Sequence, residues 1–217
     1  MRLSFYLSLI VFVILTGCAS NKNSASTIID PVFSKEEINL ILSGDSDQPM
    51  RVLLITNPKD SIILRSKSTD LVVRENDQLL QRFTKRLYQT VRDSASRGVG
   101  IAAPQVGILK KIIWIQRFDK ENEPFEVYYN PKITKYSNLK QDVLEGCLSI
   151  PDVRETTHNR SYAVLLEYDD PKGNHKCEMI EAFTAVIFQH EIDHLNGILF
   201  TDHLNQEVKK SIKHKLK

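Results

Sequence analysis

The stretch Gln189-His190-Glu191-Ile192-Asp193-His194-Leu195-Asn196-Gly197 places two imidazoles four residues apart, with a carboxylate next to the first. On an α-helix that spacing brings His190 and His194 to one face, a turn apart, where both reach one metal ion while Glu191 reaches a water beside it. A bare H-E-x-x-H also occurs on exposed helices that hold no metal, so the upstream sequence carries part of the decision. Glu145-Gly146-Cys147-Leu148-Ser149 offers Cys147 as the third protein ligand that a catalytic site with one open position needs. The plain alternative for Cys147 is a buried, inert small hydrophobe. Gly98-Val99-Gly100-Ile101-Ala102-Ala103-Pro104-Gln105 adds a run of small residues that a ligand's backbone can approach closely, ending in the amide donor of Gln105.

In this order the three blocks resemble the pattern of the peptide deformylases, G-x-G-x-A-A-x-Q, then E-G-C-x-S, then Q-H-E-x-D-H-x-x-G. The similarity runs from about Met50 to the C-terminus, with Asn130-Pro131 sitting where the family tends to have that pair. The resemblance implies an α+β fold with small antiparallel or mixed β-sheets around a central metal-binding helix. It implies hydrolysis of the formyl group from the N-terminal N-formylmethionine of peptides or proteins. Cys147, His190 and His194 would hold one divalent ion, natively Fe(II), with zinc, nickel or cobalt able to replace it; the ligand set alone does not choose. Glu191 would be the general base, and the Leu148 backbone N–H and the Gln105 amide would receive the charge on the formyl oxygen. The formylated peptide would lie extended along Gly98 to Ile101. Two other classes share parts of the pattern: a zinc endopeptidase, which H-E-x-x-H alone would also fit, and a non-catalytic lipoprotein that binds formylated peptides.

Stepping back along the motif helix from His190 by three, four and seven residues reaches Ile187, Val186 and Phe183. They share its face and would line an apolar pocket suited to methionine, or serve as ordinary core. Val99 in the first block and Val143 before the second carry the same two readings, while Gly100 belongs to the segment along which the substrate backbone would lie. Strand periodicity puts Glu145 and Ser149 on the face of Cys147. Glu145 is therefore a candidate to support the site, paired with Arg154, or half of a purely structural ion pair. Asp193 either orients a ligand or satisfies nearby backbone.

The 217 residues, 41% hydrophobic and 26% charged, suit one globular catalytic domain, placed at 50–217, that acts as a monomer. A formal net charge of +2 gives no basis for nucleic-acid binding. Lys209, Lys210, Lys213, His214, Lys215 and Lys217 make a basic end, read as a solvated helix terminus. Residues 1–17 read as a signal peptide, because the apolar run from Leu3 to Ile14 is shorter than the roughly 20 residues that span a bilayer. Leu15-Thr16-Gly17-Cys18 resembles a bacterial lipobox, with Cys18 taking the lipid; an uncleaved signal anchor is the alternative. Residues 18–49 follow as a small, polar tether and a short helix opened by Ser34. The resulting expectation is a membrane-anchored lipoprotein facing the periplasm. Ala19, in place of the aspartate that favours inner-membrane retention, leans toward the outer membrane, and the cytoplasm is the alternative location. Cys177 is left as a strand residue; a disulfide to Cys147 would consume a ligand and is not expected.

The coarse element pattern is a strand at Val52–Ile55 and a helix from Gln78 to Asp93 on the apolar spacing of Leu79, Leu80, Phe83, Leu87 and Val91. Extended segments follow at Lys111–Gln116, Glu126–Tyr129, Asp142–Ile150 and Ala163–Tyr168. The motif helix then runs from Ile180 to about Leu195.

Overall fold

A computed structural model describes residues 32–93 and 98–215, with side chains to residue 207. The expected signal peptide, Cys18, the tether to Asp30 and the basic C-terminal side chains lie outside the described residues. Pro31–Lys217 forms one compact unit, and within it two helices pack on opposite faces of one antiparallel sheet.

The first of these, α3, spans Gln78–Arg92 and follows α1 (Lys35–Leu42) and α2 (Pro58–Leu64). Asp77 caps α3 by accepting from Leu80 N at 2.9 Å, satisfying one of the free N–H groups of the first turn. Its stripe of Leu80, Phe83, Leu87 and Val91 is buried, as the spacing predicts. α1 opens with the capping box of Ser34 and Glu37. Val32, Phe33 and Ile41 from this region enter the same core as α3. Arg86 of α3 fixes the segment further by donating to the carbonyls of Leu40, Ile41 and Gln48 at 3.0, 3.0 and 3.2 Å.

Five strands make the sheet: β1 (Gly100–Ala102), β2 (Ile112–Gln116), β3 (Phe125–Tyr136), β6 (Ala163–Asp169) and β7 (His175–Glu181), in the order β1-β2-β3-β6-β7. All these pairings are antiparallel. The period of two divides their side chains cleanly. Ile112, Trp114, Val127 and Tyr129 join α3, whereas Ile113, Ile115, Tyr128, Val164, Leu166 and Ile180 join α4 (Ala182–Leu195). β4 (Lys140–Cys147) and β5 (Ile150–Ser161) form a separate hairpin that packs on α4, and α5 (Phe200–Lys215) packs on that hairpin. α4 is thus enclosed, which is why residues 184–189 are buried without interruption.

Several elements differ from the sequence reading. Val52–Leu54 is irregular and Ile55 opens a turn, so the segment joins no sheet; Leu53 N donates to Gln105 O at 2.7 Å and Ile55 N to Ser149 O at 2.9 Å, and the segment ties the first two motif blocks together. The stretch read as one strand from Asp142 to Ile150 is interrupted at Leu148-Ser149, and the chain reverses there into β5. The motif helix begins at Ala182, because Ile180 belongs to β7. Asn130 adopts a left-handed φ of 49° and brackets Leu71, accepting from its N–H at 2.9 Å and donating to its carbonyl at 2.8 Å. No helix among the described residues is long and apolar enough to cross a membrane.

Candidate metal centre

Cys147 at the end of β4 and His190 and His194 on α4 meet where the hairpin crosses the helix. Their ligand atoms all lie within 4.8 Å of one another. Cys147 Sγ is 3.2 Å from His194 Nε2. Burial would raise the Cys147 thiol, but the neighbouring His194 and His190 outweigh it and hold the thiol well below its usual range. A thiolate and two imidazoles at this separation fit one divalent ion. Gly197 ends the helix with φ +72°, and a Cβ there would collide with the Arg65 carbonyl, so the motif glycine keeps the α4 exit tight.

His190 Nδ1 donates to Glu145 Oε2 at 2.8 Å, which leaves Nε2 available as the ligand atom. Glu145 is 5% exposed and also accepts from Thr157 Oγ1 and from Arg160 Nε and Nη2. Burial alone would raise its carboxyl, yet the His190 and Arg160 hydrogen bonds hold it well below the usual carboxylate range. The expected partner Arg154 does not make this pair. Arg154 lies across from Gly146 on the exposed side of the hairpin, and Arg160 reaches Glu145 from further along β5.

Glu191 is buried on the same helix, and its Oε2 has no hydrogen-bond partner. Burial pushes its carboxyl up to about 7, against the pull of His190 and His194. Gln105 sits in a buried 3-10 turn, Ala103–Val106, where its Oε1 accepts from Ala102 N at 2.9 Å. That bond turns Nε2 toward Ser149 Oγ at 3.3 Å and Cys147 Sγ at 3.7 Å, at the edge of the ligand cluster. Leu148 occupies the reversal between β4 and β5, immediately after Cys147.

The residues expected to line a pocket divide. Gly100 lies against α4, with a built Cβ 2.8 Å from Ile187 Cγ2 and 2.6 Å from Glu191 Oε1. Val186 and Ile187 are buried, and Val99 packs against the same core as Ile187. Phe183 is 42% exposed and rests on Phe118, with ring centroids 5.3 Å apart, so it stands at a rim rather than in the core. Arg160 went unnoticed in the sequence because no local motif surrounds it. Neither Cys147 nor Cys177 forms a disulfide among the described residues.

A buried carboxylate oxygen left unpaired beside two imidazoles and a thiolate is equipped to take a proton from water next to a bound cation, and this is the chemistry of a metal-dependent hydrolase. The profile of the family described as polypeptide deformylase matches residues 50–210. A peptide deformylase of Desulforudis audaxviator is 39% identical over 140 residues, 64% of this chain and 86% of that protein. One from Leptospira biflexa is 34% identical over 163 residues, 71% of this chain and 87% of that protein. Among solved structures, the class I type b peptide deformylase of Acinetobacter baumannii bound to Met-Ala-Ser superposes with a TM-score of 0.64 at 31% identity, covering 72% of this chain and 99% of that one. The peptide deformylase of Thermotoga maritima gives 0.62 at 29% identity, covering 72% and 97%. The chain belongs to the polypeptide deformylase family. It is a metallohydrolase that removes the formyl group from N-terminal N-formylmethionine.

Proposed function

We propose that Cys147, His190 and His194 hold the divalent ion, natively Fe(II), and that Glu191, Gln105 and Leu148 carry out the deformylation around it. When bound, the ion supplies Lewis acidity that makes an attacking water more acidic and polarises the formyl carbonyl. Glu191 takes the proton of that water and returns it to the leaving amine. The Gln105 Nε2 group and the Leu148 backbone N–H donate to the formyl oxygen as charge develops on it. Val99, Gly100, Val186 and Ile187 receive the methionine side chain, with Phe183 at the mouth, while Arg154 lies along the path of the peptide beyond it. The observation that carries this reading is the unpartnered Glu191 Oε2 on the helix that supplies His190 and His194, whose ligand atoms and that of Cys147 lie within 4.8 Å of one another.

The same reading places the enzyme on a membrane through lipid on Cys18, facing the periplasm and leaning to the outer membrane. It rests on the Leu15-Thr16-Gly17-Cys18 sequence and the apolar run before it. Metal analysis of the purified enzyme, together with formate release from formyl-Met-Ala-Ser, tests the catalytic part. One metal per chain and rapid turnover are expected, and a metal-free active enzyme overturns it. Cys18→Ala is expected to abolish lipid labelling and signal cleavage. Wild-type protein recovered from the cytosol with Met1 intact overturns the anchor and leaves the chemistry standing.

A further inference from the structure

Behind the two imidazoles, a chain of hydrogen-bonded polar side chains runs from His190 to the C-terminal helix. Its first link is His190 Nδ1 to Glu145 Oε2 at 2.8 Å. Glu145 is held by Arg160 through Nε at 2.8 Å and Nη2 at 2.9 Å, two parallel bonds to one carboxylate. The remaining guanidinium nitrogen of Arg160, Nη1, donates to Asp193 Oδ2 at 2.6 Å. The same Asp193 oxygen lies 2.8 Å from His203 Nε2, and His203 Nδ1 lies 3.3 Å from Asn159 Nδ2. Four elements contribute: β4 gives Glu145, β5 Asn159 and Arg160, α4 His190 and Asp193, and α5 His203. The side chains of Glu145 and Arg160 are each 3% exposed, whereas those of Asp193 and His203 are 18% and 21% exposed.

The geometry has a mechanical consequence. A planar guanidinium anchored at three nitrogens cannot rotate, so it fixes the plane of the Glu145 carboxylate. That plane sets where His190 Nδ1–H points, and hence where the Nε2 lone pair points. Phe200, also on α5, stacks on the His190 ring with centroids 5.9 Å apart and an interplanar angle of 26°, restricting tilt from the other side. α5 therefore touches the orientation of His190 both directly and through the hydrogen-bonded chain.

We propose that Arg160 and His203 are positioning residues through which the C-terminal helix fixes the aim of His190 and thereby governs retention of the metal. The proposal rests on the reading of His190 as a metal ligand. Neither residue touches the ion or the substrate. Arg160 acts through Glu145, and His203 acts one step further back, by holding Asp193 against Arg160.

The test uses the full-length, metal-loaded enzyme and four variants, Arg160→Lys, Arg160→Met, His203→Leu and His203→Gln. The readouts are the rate of metal loss to a chelator well below the melting temperature, the visible spectrum of the cobalt-substituted enzyme, kcat and KM, and Tm. Arg160→Lys keeps the charge but loses the fork, and both Arg160 variants are expected to weaken metal retention by about 10–100-fold, the range for removal of a group that orients a ligand. Each should alter the cobalt spectrum. The His203 side chain is 21% exposed, against 3% for Glu145 and Arg160, so His203→Leu perturbs the chain at a less buried link. It is expected to speed metal loss several-fold, and His203→Gln, whose amide N–H reaches Asp193, to restore the wild-type rate. KM should stay near wild type in both. Metal loss and spectra unchanged in His203→Leu and Arg160→Lys, with or without a lower Tm, overturn the proposal. A wild-type enzyme that holds no metal and releases no formate refutes the parent reading instead.

Discussion

Gly100 is a position where a single methyl group should disable the enzyme without touching a ligand. A Cβ built there lies 2.6 Å from Glu191 Oε1, 2.8 Å from Ile187 Cγ2 and 3.0 Å from Glu191 Cγ. Carbon atoms settle at about 3.5 Å or more, so Gly100→Ala requires a displacement of roughly 0.5–1 Å. Ile187 is 4% exposed in a core filled by Ile113, Ile115 and Phe188, which leaves it little room. Glu191 can yield more easily, because its Oε2 is tied to nothing. Moving the base by about 1 Å is worth on the order of a 100-fold loss of kcat, and the overpacking itself about 1–3 kcal/mol of stability. The assay is formate release from formyl-Met-Ala-Ser, measured alongside metal content and Tm. The expected variant is folded and metal-replete but slow. Wild-type kcat in Gly100→Ala would refute the reasoning that this glycine exists to seat the base.

Gln105→Ala should keep the metal and lower kcat by about 100–1,000-fold, the effect of removing one donor to a developing oxyanion; an unchanged rate makes Gln105 structural. Cys147→Ser should lower metal occupancy and shift metal preference away from the softer ions, since a hydroxyl is a poor soft ligand; full occupancy with full activity removes Cys147 from the ligand set. With burial pushing Glu191 up to about 7, the base is protonated below that pH and free above it. A bound cation pulls the carboxyl lower, so kcat/KM should rise with pH along an acid limb centred at or below about 7. That limb should vanish in Glu191→Gln, and its persistence there would assign it to another group.

Elements with strong local signals were legible in the sequence, and contacts between distant segments were not. The apolar stripe of Leu80, Phe83, Leu87 and Val91 specifies α3, and Ser34 with Glu37 specifies the start of α1, because both signals are contained in one or two turns. The meeting of Cys147, His190 and His194 was legible because few residue types carry such donor atoms and the helical spacing puts the two imidazoles on one face. The reversal at Leu148-Ser149 was not, since it lacks the glycine, proline or asparagine that usually marks a turn. Val52–Ile55 looks like a strand from its composition, but its partners are the carbonyls of Gln105 and Ser149, which no periodicity reveals. The misassigned partner of Glu145 has the same origin. Arg154 is nearer in sequence, yet hairpin register turns it outward and brings Arg160 inward. α2 is the exception: its Asn57 cap and Pro58 start are local signals, but the helix is only seven residues long and went unread.

The central claim is that Glu191 moves the proton while Cys147, His190 and His194 hold the ion. Glu191→Gln separates the two, because the amide occupies nearly the same volume and cannot act as a base. Metal per chain and formate release from formyl-Met-Ala-Ser should be measured on the same preparations of wild type and Glu191→Gln. The account predicts equal metal content and almost no turnover in the variant. Turnover near wild type at equal metal content would contradict it.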